Sequence, residues 1–255
     1  MASSRVRRQR ILLTGASSGL GEQLARLWAA DGRDLALCAR RLPELERLRD
    51  ELLAEHPGRR IVVHALDVTD PSAVAAVFEV SAAELGGLDR VVANAGIARG
   101  GSIGTGHAAE NRSTAETNFL GVLNQAEAAL SIFRRQGGGH LVVMSSMAAL
   151  RGMPGWMNVY AATKAGVANL AEGIRSDVWG SDLRVTAIHP GYIRTAINEG
   201  DPAMKWSVDV VTGSAALLRA IEAEPARAYV PARPWAWLAG PMRVLPLAVF
   251  RRLSS

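Results

Sequence analysis

Cysteine and long apolar runs are both scarce in this 255-residue chain, and each scarcity excludes something. The single cysteine, Cys38, rules out an intramolecular disulfide and suits a reducing compartment. No segment reaches the roughly 18 consecutive apolar residues of a bilayer-spanning helix. The apolar run Ile11-Leu12-Leu13 behind the N-terminal arginines is too short for a signal-peptide core. A soluble, cytoplasmic protein is the expectation. The histidines His56, His64, His107, His140 and His189 are scattered without ligand spacing, so no metal centre is expected. No Gly-x-Ser-x-Gly elbow supports hydrolytic chemistry of the Ser-His-Asp type.

Acidic residues are outnumbered, which leaves a formal net charge of +5. Arg5, Arg7, Arg8 and Arg10 crowd one end, and Arg243, Arg251 and Arg252 the other. Such ends read as solvated tails or as contacts for an anionic surface. The body of the chain lacks the aromatic–basic interleaving of a nucleic-acid platform, and no nucleic-acid partner is expected.

Present throughout are short apolar runs alternating with helical patterns. Ile11–Leu13, Leu35–Ala39, Ile61–Leu66, Val91–Ala93, Leu141–Met144, Arg184–Ile188 and Ala228–Val230 read as buried strands. Between them, Leu20, Leu24, Leu27 and Trp28, then Leu42, Leu45, Leu48 and Leu52, recur at helical spacing. This alternation predicts an α/β, doubly wound domain: a seven-stranded parallel sheet with helices on both faces. Ligands on such sheets bind outside the carboxyl ends of the strands. A basic arm (1–9) precedes the domain (10–231). Residues 232–255, punctuated by Pro234, Pro241 and Pro246, form an apolar appendix of one or two short helices. That appendix covers the core, meets a neighbouring subunit, or lies weakly on a membrane surface.

Three motifs carry the chemistry. Tyr160 and Lys164 lie four residues apart in Val-Tyr-Ala-Ala-Thr-Lys, hence on one helix face. The ammonium can favour the phenolate and bring a tyrosine within range of proton transfer to or from a carbonyl oxygen. Thr14-Gly15-Ala16-Ser17-Ser18-Gly19-Leu20-Gly21 follows the first strand and opens the first helix. Its glycines allow a tight turn and close approach of a pyrophosphate to free N–H groups, with Gly15, Ser17, Ser18, Gly19, Leu20 and Gly21 as candidate contacts. The second strand ends in Ala39-Arg40-Arg41, with no acidic residue for a ribose 2′-hydroxyl. Arginine there suits a 2′-phosphate, so NADP(H) is favoured over NAD(H), with Arg40 as the principal contact and Arg41 beside it.

With these residues in order, the chain from about Arg10 to Val230 resembles the short-chain dehydrogenase/reductase family, whose single domain is of the Rossmann type. The resemblance implies further roles. Asp67 and Val68, in Leu-Asp-Val-Thr-Asp, match the adenine-binding segment; Asn94, Ala95 and Gly96 match the motif beside the cofactor. Asn118, in Thr-Asn-Phe-Leu-Gly, matches the helical asparagine of a proton relay through water. Pro190, Gly191, Ile193 and Thr195 resemble the segment that holds the nicotinamide. Catalysis would fall to Asn118, Ser146, Tyr160 and Lys164. Ser146 would hold the substrate oxygen, and Lys164 would tune Tyr160 and bind the nicotinamide ribose. The implied partners are a small-molecule carbonyl or alcohol and a second copy of the chain, as a homodimer or homotetramer.

One feature departs from that pattern. Ser146 precedes Tyr160 by fourteen residues where thirteen are usual, and strict spacing selects Met147. An extra residue in the loop around Gly155-Trp156-Met157-Asn158 accounts for it, because loops absorb insertions. Ser145 is the alternative. Met153, Trp156, Met157, Met204 and Trp206 suit an apolar substrate. A catalytically silent NADP-binding sensor and a membrane-peripheral protein are the rival readings; a sensor has no need of all four catalytic side chains.

Overall fold

The computed structural model describes residues 7–194 and 207–254. Seven parallel strands form one sheet in the order β3-β2-β1-β4-β5-β6-β7. They are β1 (Arg10–Thr14), β2 (Asp34–Ala39), β3 (Ile61–Ala65), β4 (Arg90–Ala93), β5 (Gly139–Met144), β6 (Leu183–Pro190) and β7 (Arg227–Val230). Each expected strand is present. Side chains alternate across the sheet, so neighbouring apolar residues feed different cores. Leu12, Val91, Leu141 and Val143 pack on one face with Phe78, Ala126 and Phe133. Ile11, Leu13, Val92 and Val142 pack on the other with Leu24, Trp28 and Leu217. Full burial of each such side chain contributes about 1.5–3 kcal/mol.

The helices over the second face are α1 (Gly19–Ala30), α2 (Leu42–Glu55) and α7 (Val210–Glu222). Leu24 and Trp28 of α1, and Leu45, Leu48 and Leu52 of α2, are the buried stripes that the spacing indicated. The first face carries α3 (Pro71–Leu85), α5 (Gly121–Gln136) and α6 (Met157–Asp177), and α4 (Ala108–Ala115) packs against α6. Local chemistry sets the limits of α3. The Asp70 carboxylate accepts from the Ser72 and Ala73 amides, Pro71 opens the first turn, and Gly86 at φ 75° ends it. Between α4 and α5 the helix continues through a π-helical turn, Glu116–Leu120.

The appendix consists of α8 (Ala232–Val244) and α9 (Leu247–Ser254). It is anchored on its buried side: Trp235 and Ala239 pack with Met147, and Tyr192, Tyr229 and Met242 flank them. The N-terminal arginines correct one expectation, because the described ones do not form a solvated tail. Arg8 is buried and meets Glu224 at 2.8 Å; Arg10 meets Asp89 at 2.6 Å; Arg7 donates to the Asp31 carbonyl. Among the described residues, no helix is long and apolar enough to cross a membrane.

Candidate active site

The chain reverses its direction of travel across the sheet between β1 and β4, and every candidate residue described lies at or just beyond the strands' carboxyl ends or on the helices packed there. After β1, Gly15 (φ 66°) and Gly19 (φ 58°) adopt the left-handed region that glycine alone tolerates freely. A Cβ on Gly15 would stand 2.9 Å from the Ala95 backbone, and one on Gly21 would strike the Gly15 carbonyl. Asn94 braces this loop by donating its side-chain amide to the Thr14 carbonyl at 2.9 Å. The Thr14 hydroxyl accepts the Asn94 and Ala95 amides and donates to Gln125 of α5 at 2.8 Å. The loop is thus a fixed cradle with small residues where a ligand backbone would approach.

Across its mouth lies Arg41, which donates to the Ser17 and Ser18 hydroxyls at 3.0 and 3.1 Å. Arg40 is exposed and makes no hydrogen bond or ion pair among the described residues. The expected principal contact is therefore the uncommitted guanidinium, and its neighbour is the one already bound to the loop. Asp67 accepts from the amide and hydroxyl of Thr69 at 2.9 and 2.8 Å. Partial burial works to raise its carboxyl, but those bonds and the charge of Arg40 prevail and lower it. Val68 is buried against Gly121, and its carbonyl accepts from Asn124.

The proton-handling candidates converge from three elements. Ser146 caps a 3-10 turn, Met147–Leu150, through a 3.1 Å bond from the Ala148 amide to its hydroxyl. The Ser146 hydroxyl also stands near enough to the Tyr160 phenol of α6 to act to lower it. The extra residue before Tyr160 leaves that proximity intact. The loop turns through Gly155 at φ 65°, and α6 begins at Met157. Ser145 is committed elsewhere, donating to the Lys164 carbonyl at 2.7 Å, and Met147 is turned into the contact with Trp235.

Lys164 Nζ lies 5.8 Å from the Tyr160 ring centroid and donates to the Met144 carbonyl at 2.7 Å. Burial lowers its ammonium from the ordinary 10.5 to about 8. The Tyr160 phenol moves the opposite way from expectation: burial raises it, nearby Ser146 opposes that rise, and Tyr192 reinforces it. The physical reason is that the lysine charge is drawn toward a backbone carbonyl while the ring is desolvated. Asn118, fully buried within the π-helical turn, exchanges two 2.8 Å hydrogen bonds with the Ile97 backbone. A Cβ on Gly96 would stand 3.1 Å from Asn118 Oδ1 and 3.5 Å from Lys164 Nζ. Small size at Gly96 lets those two groups share one space.

Beyond β6, Gly191 receives the Trp235 indole where a Cβ would collide. Pro190 ends the strand, and Ile193 is buried in a bridge to Val208. Thr195, Met204 and Trp206 lie outside the described residues. His189, which its place just before Pro190 marks as a strand-end residue near the cofactor, has its Nδ1 3.1 Å from the Ser146 carbonyl. Burial, helped by the charges of Arg227 and Arg243, lowers it to about 4 against the Ser146 bond.

The short chain dehydrogenase family matches residues 9–206. An uncharacterized oxidoreductase of Mycobacterium tuberculosis is 47% identical over 249 residues, 98% of each chain. Oxidoreductase UcpA of Escherichia coli K12 is 35% identical, covering 74% of this chain and 70% of its own. The archaeal alcohol dehydrogenase of Thermococcus sibiricus, complexed with 5-hydroxy-NADP, superposes with a TM-score of 0.77 at 29% identity, over 87% of this chain and 95% of its own. NADPH-dependent 3-quinuclidinone reductase of Rhodotorula rubra gives 0.78 at 26%, over 87% and 88%. The chain belongs to the short-chain dehydrogenase/reductase family. It is an oxidoreductase of the nicotinamide-dependent kind.

Proposed function

We propose that the protein transfers hydride between NADP(H) and the carbonyl carbon of an apolar ketone or aldehyde, or the matching alcohol, with Tyr160 as general acid/base. The observation that carries this reading is the convergence of Ser146, Tyr160 and Lys164, with Lys164 Nζ 5.8 Å from the Tyr160 ring centroid. The cradle of Gly15, Gly19 and Gly21 fits a pyrophosphate, and the serine-bound Arg41 with the uncommitted Arg40 fits a 2′-phosphate. The Thermococcus enzyme is complexed with 5-hydroxy-NADP, and a closed serine dehydrogenase, 27% identical with a TM-score of 0.76 over 88% of this chain and 95% of its own, with NADP+. The bound dinucleotide supplies the hydride or accepts it.

The chain's own work is positional and protonic. Ser146 holds the substrate oxygen within reach of Tyr160. A phenol raised by burial is neutral at physiological pH, so it donates its proton to that oxygen as the carbon is reduced. Lys164, mostly charged below its value of about 8, then stabilises the phenolate left behind. Asn118 fixes the Ile97 backbone beside the lysine and keeps open the space that a water relay would use. Trp156, half exposed with its ring centroid 6.4 Å from that of Tyr160, offers an apolar wall to the substrate.

The test is NADPH oxidation against a panel of aldehydes, ketones, quinones and 3-oxo-acyl compounds, with Tyr160→Phe as control. Turnover with one class, reduced by about 10²–10⁴-fold in the variant while NADPH fluorescence titrations stay unchanged, is the expected result. NADPH binding without turnover on any class would defeat the reading.

A further inference from the structure

The appendix has an outer side as well as a buried one, and that side has an unusual composition. Trp235, Ala239 and Met242, at helical spacing, face the core. Trp237 and Val244, two turns apart on the other side of α8, are 68% and 80% exposed, and Leu247 at the start of α9 is 61% exposed. No aspartate or glutamate occurs after Glu224, whereas Arg227, Arg233, Arg243, Arg251 and Arg252 all do. Arg233 stacks on Trp237 at 5.0 Å; Arg243 lies at the inner edge, where it lines a cavity with His189 and Glu172, and neither arginine makes an ion pair among the described residues.

We infer that the outer side of α8 and α9 is a docking surface for an anionic lipid bilayer. Exposed tryptophan and aliphatic side chains flanked by arginine match the boundary between headgroups and acyl chains, where the apolar atoms are buried and the guanidiniums meet phosphate. A second copy of the chain fits less well. A twofold contact would set this face against itself, arginine opposite arginine with no acid in the segment to neutralise them. Nucleic acid would satisfy the charge but leave Trp237, Val244 and Leu247 without an apolar partner.

The surface is tied to the candidate active site. Arg151 ends the 3-10 turn that Ser146 begins, donates to the Met242 and Leu245 carbonyls, and lies over the Phe250 ring at 5.1 Å. Trp235 seats on Gly191. A bilayer-bound appendix would hold the site's rim at the lipid boundary, which suits a lipophilic substrate; this corollary rests on the proposed reductase activity, whereas the docking does not.

Full-length protein is mixed with vesicles of pure phosphatidylcholine or of phosphatidylcholine with phosphatidylglycerol, and co-sedimentation is measured. Binding to the anionic vesicles alone is expected. It should weaken roughly 30-fold in Arg233→Gln/Arg243→Gln, at about 1 kcal/mol per arginine. It should be lost in Trp237→Ser/Val244→Ser/Leu247→Ser, with an unchanged circular-dichroism melt showing that the variant folds. Failure to bind anionic vesicles at low salt, equal binding to both lipids, or retained binding in the triple variant overturns the proposal. So does a change in the triple variant's oligomeric mass, or duplex DNA binding, without vesicle binding. NADPH turnover measured in parallel keeps failure of the enzymatic reading distinct from failure of the docking.

Discussion

The two ends of the chain are both rich in arginine, yet the fold treats them differently. At the N-terminal end, Arg8 and Arg10 are drawn into ion pairs with Glu224 and Asp89, residues more than seventy positions away in sequence. Glu224 also receives Arg90, and Trp28 and Arg90 donate to Glu222 beside it. At the C-terminal end, Arg233 stacks on Trp237 and Arg243 lines a cavity with His189 and Glu172, and neither makes an ion pair among the described residues. Equal charge in the sequence therefore divides into charge that fastens strands to their neighbours and charge left for something outside. What decides is whether the topology delivers a carboxylate, and composition carries no trace of that.

Breaking the fastened end should cost most. Glu224→Gln removes the anion shared by Arg8 and Arg90 while leaving both cations partly or wholly buried, and should lower urea-unfolding stability by about 3–5 kcal/mol. Glu224 also adopts φ 49°, a backbone conformation unfavourable for a residue with a side chain. A loss below 1 kcal/mol would show that the N-terminal pairs are as superficial as the C-terminal charges.

Acid should act next, at the inner edge of the other end. His189, held near 4 in the fold against an ordinary 6.5, binds its proton more readily when unfolded. Stability should be complete above about pH 6.5 and fall as pH drops toward 4, by about 3 kcal/mol. His189→Asn should make that limb of a urea-midpoint titration shallower, leaving the share of His140, which burial also lowers well below its ordinary value, and the later acid loss from the lowered Asp89 and Glu224 carboxyls below about pH 4.5. An unchanged limb in the variant would assign it to other groups. The smallest effect belongs to Arg233→Gln/Arg243→Gln, which should shift stability by no more than about 0.5 kcal/mol. A larger loss would mean that these arginines fasten the fold after all.

The sheet was legible because strands buried on both faces read as continuous apolar runs, from Ile11–Leu13 to Ala228–Val230. The glycine loop and the Tyr160–Lys164 pair were legible because their spacing is local. Less was visible where a residue's work depends on distant partners. Nothing near Arg41 announces that it reaches back to Ser17 and Ser18, and Ser145 differs from Ser146 only in which neighbour its strand-end position offers. The rise of the Tyr160 phenol follows from burial and from the Met144 carbonyl holding the lysine, neither of which is a property of the interval between Tyr160 and Lys164.

The π-helical turn at Glu116–Leu120 amounts to one residue more than a regular helix would use. Each residue advances a helix by about 100°, so the turn rotates everything after it by that angle relative to everything before. Asn111 and Thr114 of α4 thereby address the loop at residues 99–101, while Val122, Ala126 and Phe133 of α5 address the sheet. Deleting one residue here would retain the helix and its composition but misalign two sets of contacts at once. The turn works as a phase shifter, letting one rod mesh with two gears that are out of step.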